Sequence, residues 1–215
     1  MLKQQTDTIA AIATPLGEGG ISVIRVSGSE AIDVVSRCFR GKTELSRVQS
    51  HTAHFGKVLE EGAPLDEVVC TVFREPGSFT GENTVEVSCH GGIFVTRRIL
   101  ESLLRAGARP AEPGEFTKRA FLNGRIDLSQ AEAVADLIHA QSDRAHKASV
   151  EQLEGGLSRG IRALRDELVD SIGLLELELD FVEEGLEFVD KSRVARQIER
   201  SMEGVGSLLD RKSVV

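Results

Sequence analysis

The sequence has few cysteines, and no close spacing links them. Its 215 residues include three, Cys38, Cys70 and Cys89, and their separation excludes both C-x-x-C metal sites and a disulfide framework. No apolar run approaches the roughly 20 residues that cross a bilayer, and the start of the chain has no signal-peptide core. These absences predict a cytoplasmic protein with no metal site and no membrane association.

A strongly basic surface is also missing. The net charge is −8; residues 1–120 carry 14 basic and 15 acidic side chains, and residues 121–215 carry 12 and 19. Neither half therefore has the excess of lysine and arginine that binds phosphate backbones. If a nucleic acid is a partner, another domain or protein must supply most of the attraction.

Two stretches of the sequence match phosphate-binding motifs only in part. Residues 8–13 and 21–27 have the pattern of strands joined by a glycine-rich loop, but a dinucleotide fingerprint needs glycine where Ser22 stands and a helix directly afterwards. The G-K-T at 41–43 is similar to the end of a P-loop, yet Ser36 replaces its first glycine. The sequence therefore predicts neither a Rossmann site nor a P-loop.

Arg25 stands in the second of these strands among apolar neighbours. An unpaired charge in such a place is costly, so the arginine should have a partner. That partner is either a carboxylate in a structural ion pair or an anionic or carbonyl-rich ligand. The sequence leaves both interpretations open.

The stretch at 84–93 combines a strand pattern with reactive side chains. Polar residues at 84, 86 and 88 alternate with apolar ones, as in a strand with one buried face, and the glycines at 91–92 should end it before a helix. Glu86, Cys89 and His90 thus reach a strand-to-helix turn, where α/β folds tend to build pockets. The structural alternative is a solvated Glu86, a core Cys89 and a turn His90.

Cys89 and His90 could in principle act as nucleophile and base. Adjacent residues of a strand point to opposite faces, however, which favours structural roles for both. Nothing else in the sequence marks a residue that performs chemistry, so the catalytic residues are unknown.

The remaining periodicities predict a first part with strands and helices and a helical second part. Ser29 should cap a helix that ends near residue 39, and strands at 51–59 and 65–75 should form a hairpin. Asp127 or Ser129 should cap one long helix through residue 148. Further helices are predicted at 93–106, 115–122, 157–189 with a possible break at Gly185, and 191–209.

The helix at 157–189 carries a heptad seam of apolar residues. Three or four helices with such a seam need a further packing partner. A second copy of the chain or sequence outside these 215 residues would supply it.

Four motifs, in this order, point to one family. They are DTIAAIATP at 7–15, GGISVIRVSG at 19–28, FTGE at 79–82 with HGG at 90–92, and PGEF at 113–116 with AFLNGRIDLSQAEA at 120–133. With this combination the chain resembles the amino-terminal portion of the bacterial tRNA modification GTPases of the MnmE (TrmE) family.

The resemblance implies an α+β fold in two domains. A mixed-sheet, folate-binding and dimerising domain at 1–118, similar to the tetrahydrofolate-binding part of glycine-cleavage aminomethyltransferases, is expected before an incomplete helical bundle at 119–215. In the family a GTPase domain, which uses GTP, potassium and magnesium, is inserted into the helical domain. Because this sequence has no P-loop, we expect the portion that precedes the GTPase domain, without GTPase activity of its own.

The resemblance also implies partners and a reaction. With a flavin-containing partner protein of the MnmG/GidA type, the family adds a carboxymethylaminomethyl-type group to carbon 5 of the wobble uridine of certain tRNAs. Its amino-terminal domains form a homodimer. Its cofactor is a tetrahydrofolate derivative, with 5-formyltetrahydrofolate as an analogue of the methylene form.

The family's folate contacts correspond to Arg25, Glu86 and Arg125, the last of which is often lysine. Glu86 can accept hydrogen bonds from the pterin ring N–H and its amino group together. Arg25 can donate to a pterin carbonyl or neutralise a carboxylate, and Arg125 suits the glutamate tail. A further lysine and a cysteine lie in the family's carboxy-terminal tail, which this sequence does not include.

Two other functions compete with this one. A stand-alone folate-dependent aminomethyltransferase would transfer one-carbon units without a GTPase. A non-catalytic assembly scaffold would leave the pocket empty and use its helical seam to recruit partners.

Overall fold

A computed structural model describes residues 7–181 and 191–212 of the chain. The chain divides into two units, Met1–Arg125 and Ile126–Val215. The first contains a sheet with helices and the second contains helices. The α+β first part and the helical second part expected from the sequence are therefore confirmed.

The division falls between Arg125 and Ile126, not between residues 118 and 119 as expected. Residue 118 lies inside the helix Glu115–Leu122. Arg119 of that helix forms an ion pair with Asp7 beside the first strand, at 2.8 Å. This contact explains why the whole helix belongs to the first unit.

A seven-stranded sheet forms the centre of the first unit. Its strands are β1 (Ile9–Ile12), β2 (Gly19–Ser27), β3 (Phe39–Gly41), β4 (Thr52–Glu60), β5 (Ala63–Phe73), β6 (Thr84–Gly91) and β7 (Arg109–Pro110). They lie in the order β3-β4-β5-β6-β2-β1-β7. All neighbours are antiparallel except β1 and β7, which are parallel, so the sheet is mixed.

One face of this sheet carries the hydrophobic core. Helices α1 (Ala31–Cys38) and α2 (Ile93–Arg105) contribute to it. Ile24 of β2, Val87 of β6 and Ile99 of α2 are fully buried there. Complete burial of such side chains stabilises the fold by about 1.5–3 kcal/mol each.

Helix α1 begins differently from the prediction. Its N-cap residue is Glu30 rather than Ser29, and the Glu30 side chain makes no capping hydrogen bond. The hydroxyl of Thr8 instead accepts a hydrogen bond from the Glu30 backbone N–H at 3.1 Å. A distant residue therefore serves the helix start, which local sequence patterns do not reveal.

The other face of the sheet carries Arg25 and Glu86, two of the residues predicted to bind a ligand. Side chains alternate along a strand, so Arg25 points away from the core that contains its neighbours Ile24 and Val26. Glu86 pairs with Arg25 in the β2–β6 register and points the same way. Helix α3 (Glu115–Leu122) places Phe116 near this face, as described below.

Four helices make up the described part of the second unit. They are α4 (Leu128–His139), α5 (Asp143–Leu153), α6 (Gly156–Phe181) and α7 (Lys191–Lys212). Asp127 caps α4, as one of the two predictions stated: its carboxylate accepts from the Gln130 N–H, and the Gln130 side chain accepts from the Asp127 N–H, each at 2.9 Å. This reciprocal arrangement is a capping box.

The single helix predicted through residue 148 is wrong. Helix α4 ends at His139, and Ala140 has extended backbone with φ −59° and ψ 126°. Ser142 then caps α5 by accepting from the Ala145 N–H at 3.2 Å. The apolar periodicity continues through this interruption, so the serine cap was the available signal and was missed.

Helices α6 and α7 pack through small residues. A Cβ added at Gly204 would lie 2.7 Å from Leu164 Cδ2, and one at Gly160 would lie 3.4 Å from Leu208 Cδ2. Positions 160 and 164 of α6 thus meet 208 and 204 of α7, which indicates antiparallel helices.

The predicted heptad seam is not buried where the structure describes it. Ile161, Leu168, Ile172 and Leu175 are each more than 40% exposed. The last part of the seam and Gly185 lie in 182–190, outside the described residues.

Candidate functional site

Arg25 and Glu86 form an ion pair on the sheet face opposite the core. Arg25 Nε and Nη2 donate to the same Glu86 oxygen, Oε1, at 2.9 and 2.8 Å. Each side chain is 27% exposed. The structural ion pair that the sequence left open is therefore present, and it remains accessible to solvent.

Two aromatic rings lie against this ion pair. The Arg25 Cζ atom is 5.5 Å from the ring centroid of Phe79 and 5.5 Å from that of Phe116. These distances fall within the range of cation–π contacts. Phe79 comes from the segment before β6 and Phe116 from α3, so three parts of the chain meet at the Arg25 guanidinium.

Arg125 lies at the end of the first unit and binds the segment before β6 that contains Phe79. Its Nε donates to the Ser78 carbonyl at 3.1 Å, one residue before Phe79. Within residues 7–181 and 191–212, no hydrogen bond or ion pair joins Arg125 directly to Arg25 or Glu86. Two of the three predicted ligand-binding residues are thus in contact, and the third is linked to them through the Phe79 segment.

A buried ion-pair network fixes α3 beside the site. Arg119, which is 2% exposed, binds Glu115, Asp7 and Glu82 at 3.1, 2.8 and 3.2 Å. Arg109 binds the same Glu115 at 2.6 Å. The Arg109 guanidinium holds the pKa of Glu115 at about 2, below its ordinary 4.5. A hydrogen bond from Arg109 likewise lowers the pKa of Asp7.

This network was not predicted from the sequence. One local signal was available, because Glu115 and Arg119 are four residues apart on a predicted helix. The contacts of Arg119 with Asp7 and Glu82 join residues far apart in the chain. Only the folded sheet brings them together.

Hydroxyl groups connect the network to the Phe79 segment. Ser27 Oγ donates to Glu82 at 3.0 Å and shares a hydrogen bond of 2.7 Å with Thr80. Ser78 donates to the Glu82 carbonyl at 2.6 Å. All three hydroxyl residues are at least 96% buried, so their hydrogen bonds are made with protein groups in a region of low dielectric.

Cys89 and His90 do not form a pair. The Cys89 thiol is buried in the core, where burial raises its pKa. His90 is exposed, and its Nδ1 contacts Asp66 Oδ1 at 2.6 Å while its backbone N–H donates to Oδ2 at 2.9 Å. This geometry agrees with the structural interpretation of both residues.

A cavity of about 520 Å³ lies elsewhere in the first unit. It is lined by α1 and the segment that follows it, including Arg37, Arg40 and Lys42. Arg40 donates to the carbonyls of Ser36 and Phe39 at 2.9 and 2.8 Å, so it serves the end of α1. None of the residues predicted to bind a ligand lines this cavity.

Two features are absent from the part of the chain that the structure describes. In 7–181 and 191–212, no cluster of three or more His, Cys, Asp or Glu residues could hold a metal ion. No helix in the same part of the chain is long and apolar enough to cross a membrane.

Comparison with known protein families matches both units. The family model "GTP-binding protein TrmE N-terminus" matches residues 8–125, and the model "MnmE helical domain" matches residues 128–214. The sheet unit with its Arg25–Glu86 pair and the helical unit that follows thus define the class, that of TrmE-type amino-terminal and helical domains.

Comparison with curated relatives indicates the same family. Proteins named tRNA modification GTPase MnmE from Salinibacter ruber, Cytophaga hutchinsonii and Listeria innocua are 54%, 52% and 55% identical over 207, 193 and 177 residues. The matches cover 96%, 90% and 82% of this chain, and 45%, 42% and 39% of the relatives. The chain belongs to the MnmE family and spans less than half the length of these relatives.

Proposed function

We propose that the chain is the tetrahydrofolate-binding, dimerising part of a GTPase that modifies the wobble uridine of tRNA. The observation that supports the folate proposal is that only one oxygen of the Glu86 carboxylate accepts hydrogen bonds from described residues. Arg25 occupies Oε1, and no described residue donates to Oε2. An accessible carboxylate oxygen beside an arginine and two aromatic rings suits a flat polar ring.

The pterin of a folate offers the complementary groups. Its ring N–H and its amino group form an adjacent donor pair that one carboxylate accepts together. For Glu86 to accept both, Arg25 must release at least one of its two bonds to Oε1. A released Arg25 N–H is then free to donate to the pterin carbonyl, so the arginine exchanges one acceptor for another.

Arg125 suits the glutamate tail of the folate. Only its Nε is engaged in the hydrogen bond to Ser78, which leaves the terminal nitrogens of the guanidinium for a carboxylate. The Phe79 segment lies between this arginine and the Arg25–Glu86 pair. The folate would therefore extend past this segment, either as 5-formyltetrahydrofolate or as the methylene form.

The folate proposal is tested by calorimetric titration of 5-formyltetrahydrofolate into the protein and into Glu86→Gln. The variant loses a charged acceptor, which costs about 1.5–3 kcal/mol, or roughly ten- to a hundredfold in affinity. We expect binding to the unmodified chain and none measurable to the variant, with both folded by circular dichroism.

Glu67→Gln is the matched control. Glu67 is a sheet acid with a basic partner, Lys57, at 3.3 Å, but it is more exposed than Glu86. Its loss should leave the affinity unchanged. Equal affinity of Glu86→Gln and the unmodified protein, or the absence of binding to the latter, would contradict the folate assignment.

Self-association is supported by apolar residues on the open part of the sheet face. Phe55 and Val69 are register partners on β4 and β5 and are 62% and 37% exposed; Ile21 on β2 is 69% exposed. A homodimer would bury them. We expect sedimentation equilibrium to give the dimer mass, and Phe55→Lys to shift it towards the monomer.

For the whole protein we propose GTP hydrolysis, with potassium and magnesium, coupled to the action of a flavin-containing partner of the MnmG/GidA type on tRNA. The support is the name that the relatives share, tRNA modification GTPase MnmE. The 215 residues contain no P-loop motif, so this chain alone should release no phosphate from GTP above the buffer rate. Measurable turnover would contradict that expectation.

A further inference from the structure

Phe79 is an exposed aromatic residue in an otherwise buried segment. Its neighbours Ser78 and Thr80 are 4% and 0% exposed, whereas Phe79 is 36% exposed. Apolar burial therefore accounts for only part of its placement. The segment is built from its buried members and holds the ring outward.

The backbone on both sides of Phe79 is fixed. The Thr80 carbonyl accepts from Asn123 Nδ2 at 2.8 Å, and the Ser78 carbonyl accepts from Arg125 Nε at 3.1 Å. Both donors lie just beyond α3. A ring on such a fixed backbone keeps only its side-chain rotations, so less conformational freedom is lost when a ligand binds, which favours affinity.

The Phe79 ring also lies close to the Arg25–Glu86 pair. Its centroid is 5.5 Å from Arg25 Cζ, and Arg25 is the direct partner of Glu86. A flat ring that binds Glu86 Oε2 would therefore lie close to the ring of Phe79. Phe116 contacts Arg25 at the same distance but belongs to α3 and is a second, separate wall.

We infer that Phe79 is a specificity-determining residue that stacks on the heteroaromatic ring bound by Glu86. This inference rests on the proposed folate function and names the group that selects a planar ring. The pyrimidine part of the pterin stays planar in tetrahydrofolates. Stacking of such a ring on an aromatic side chain is favourable and adds to the area that it buries.

The test compares Phe79→Leu with Phe94→Leu in titrations of 5-formyltetrahydrofolate. Leucine keeps apolar volume but removes the aromatic face, so we expect about tenfold weaker binding for Phe79→Leu. Phe94 is a matched control, because it is 73% exposed in the same unit and also lies over an arginine, Arg98, at 5.9 Å. Its replacement should leave the affinity unchanged.

A spectroscopic signature separates stacking from a purely structural role. Stacked rings absorb less strongly, so binding to the unmodified protein should lower the pterin absorption band, and binding to Phe79→Leu should not. Phe79→Tyr keeps the ring and should bind within about twofold of the unmodified protein with the band lowered. This second variant keeps the test decisive if leucine disturbs the fold.

The possible outcomes distinguish the stacking role of Phe79 from the folate function. Unchanged affinity in Phe79→Leu together with lost affinity in Glu86→Gln would overturn the stacking role and leave the folate function intact. Tenfold weaker binding by a folded Phe79→Tyr would also overturn the stacking role. Absence of binding to the unmodified chain would overturn both.

Discussion

The two units of the chain are stabilised in different ways. The first encloses a continuous core between its sheet and helices α1 and α2, and adds an ion-pair network around Arg119. In the described part of the second unit, only Ala133 and Val194 are buried hydrophobic residues. Large apolar side chains there are more often exposed: Leu128, Ile138, Ile161, Leu168, Val169, Ile172, Leu175, Leu177, Ile198, Met202, Val205 and Leu209.

The difference shows where each unit obtains its stability. A sheet that buries one face completely can support a charged network at the edge of the other, because the core supplies the favourable free energy. The helical unit relies on pairs of packed helices: hydrogen bonds join α4 to α5, and α6 and α7 pack closely at Gly160 and Gly204. Its exposed apolar residues form a surface that a further helix or protein could cover. Three predictions test this comparison.

The largest expected effect is in the buried network of the first unit. Arg119→Met removes the cation that joins Asp7, Glu82 and Glu115, and Glu115 is 2% exposed. Glu115 and Asp7 keep Arg109 as a partner. Glu82, however, loses its cation and the buried network is broken, which costs up to about 3–5 kcal/mol. Hydrogen exchange should show this loss in the amides of β1, β2 and β6 while those of α6 and α7 are unchanged.

Arg97→Met is the control for this variant, since Arg97 is an exposed arginine of the same unit. Its free energy of unfolding should change by less than about 0.5 kcal/mol. An equal loss in both variants, or a loss spread over both units, would show that the network does not stabilise the sheet unit in particular.

A second effect is the response of the first unit to acid. Because the pKa of Glu115 is about 2 in the folded protein and ordinarily 4.5, the unfolded chain takes up the proton first as the pH falls. The stabilisation is complete above pH 4.5 and is lost towards pH 2. A difference of 2.5 pH units, at about 1.4 kcal/mol each, gives about 3–4 kcal/mol.

This pH dependence is measured by denaturant unfolding between pH 6 and pH 2.5. Glu115→Gln has no proton to take up, so its stability should fall less steeply over this range, although it is lower at neutral pH. The lowered pKa of Asp7 acts in the same direction and remains in the variant. Parallel curves for the two proteins would rule out Glu115 as a source of the acid response.

The smallest effect belongs to the helical unit. Replacing glycine by alanine inside a helix gains about 1 kcal/mol, and at Gly206 a Cβ meets nothing within 4 Å. At Gly204 it would lie 2.7 Å from Leu164 Cδ2, so the end of the Leu164 side chain must shift and part of this gain is lost. Thermal unfolding should therefore show Gly206→Ala to be more stable than Gly204→Ala by up to about 1 kcal/mol; the reverse order would contradict close packing of α6 and α7.

The sequence predicted the parts of the fold that depend on local patterns. The strand at 84–91 followed from its period of two, and the start of α4 followed from Asp127, whose capping partner Gln130 lies three residues away. The family resemblance also indicated Arg25 and Glu86 as folate contacts, and that assignment stays a prediction. Their mutual ion pair was one of two open interpretations because it depends on the register of β2 and β6.

What could not be predicted depends on contacts between distant segments. The cap of α1 by Thr8 and the binding of Arg119 to Asp7 require β1 to be in place. No periodicity in the sequence predicts these contacts, and no local pattern predicts that the hydroxyls of Ser27 and Thr80 are buried. The position of Phe79 beside Arg25 likewise depends on contacts of the neighbouring backbone with Asn123 and Arg125.

The contact of Asp7 with Arg119 also has a consequence for synthesis on the ribosome. Chains emerge from the amino terminus first, so the first strand leaves the exit tunnel long before α3 exists. Asp7 and Glu82 lack the Arg119 guanidinium until residue 119 appears, and β1 cannot gain its parallel neighbour β7 before residues 109–110 are made. The sheet unit therefore has its full set of contacts only after α3 has been made.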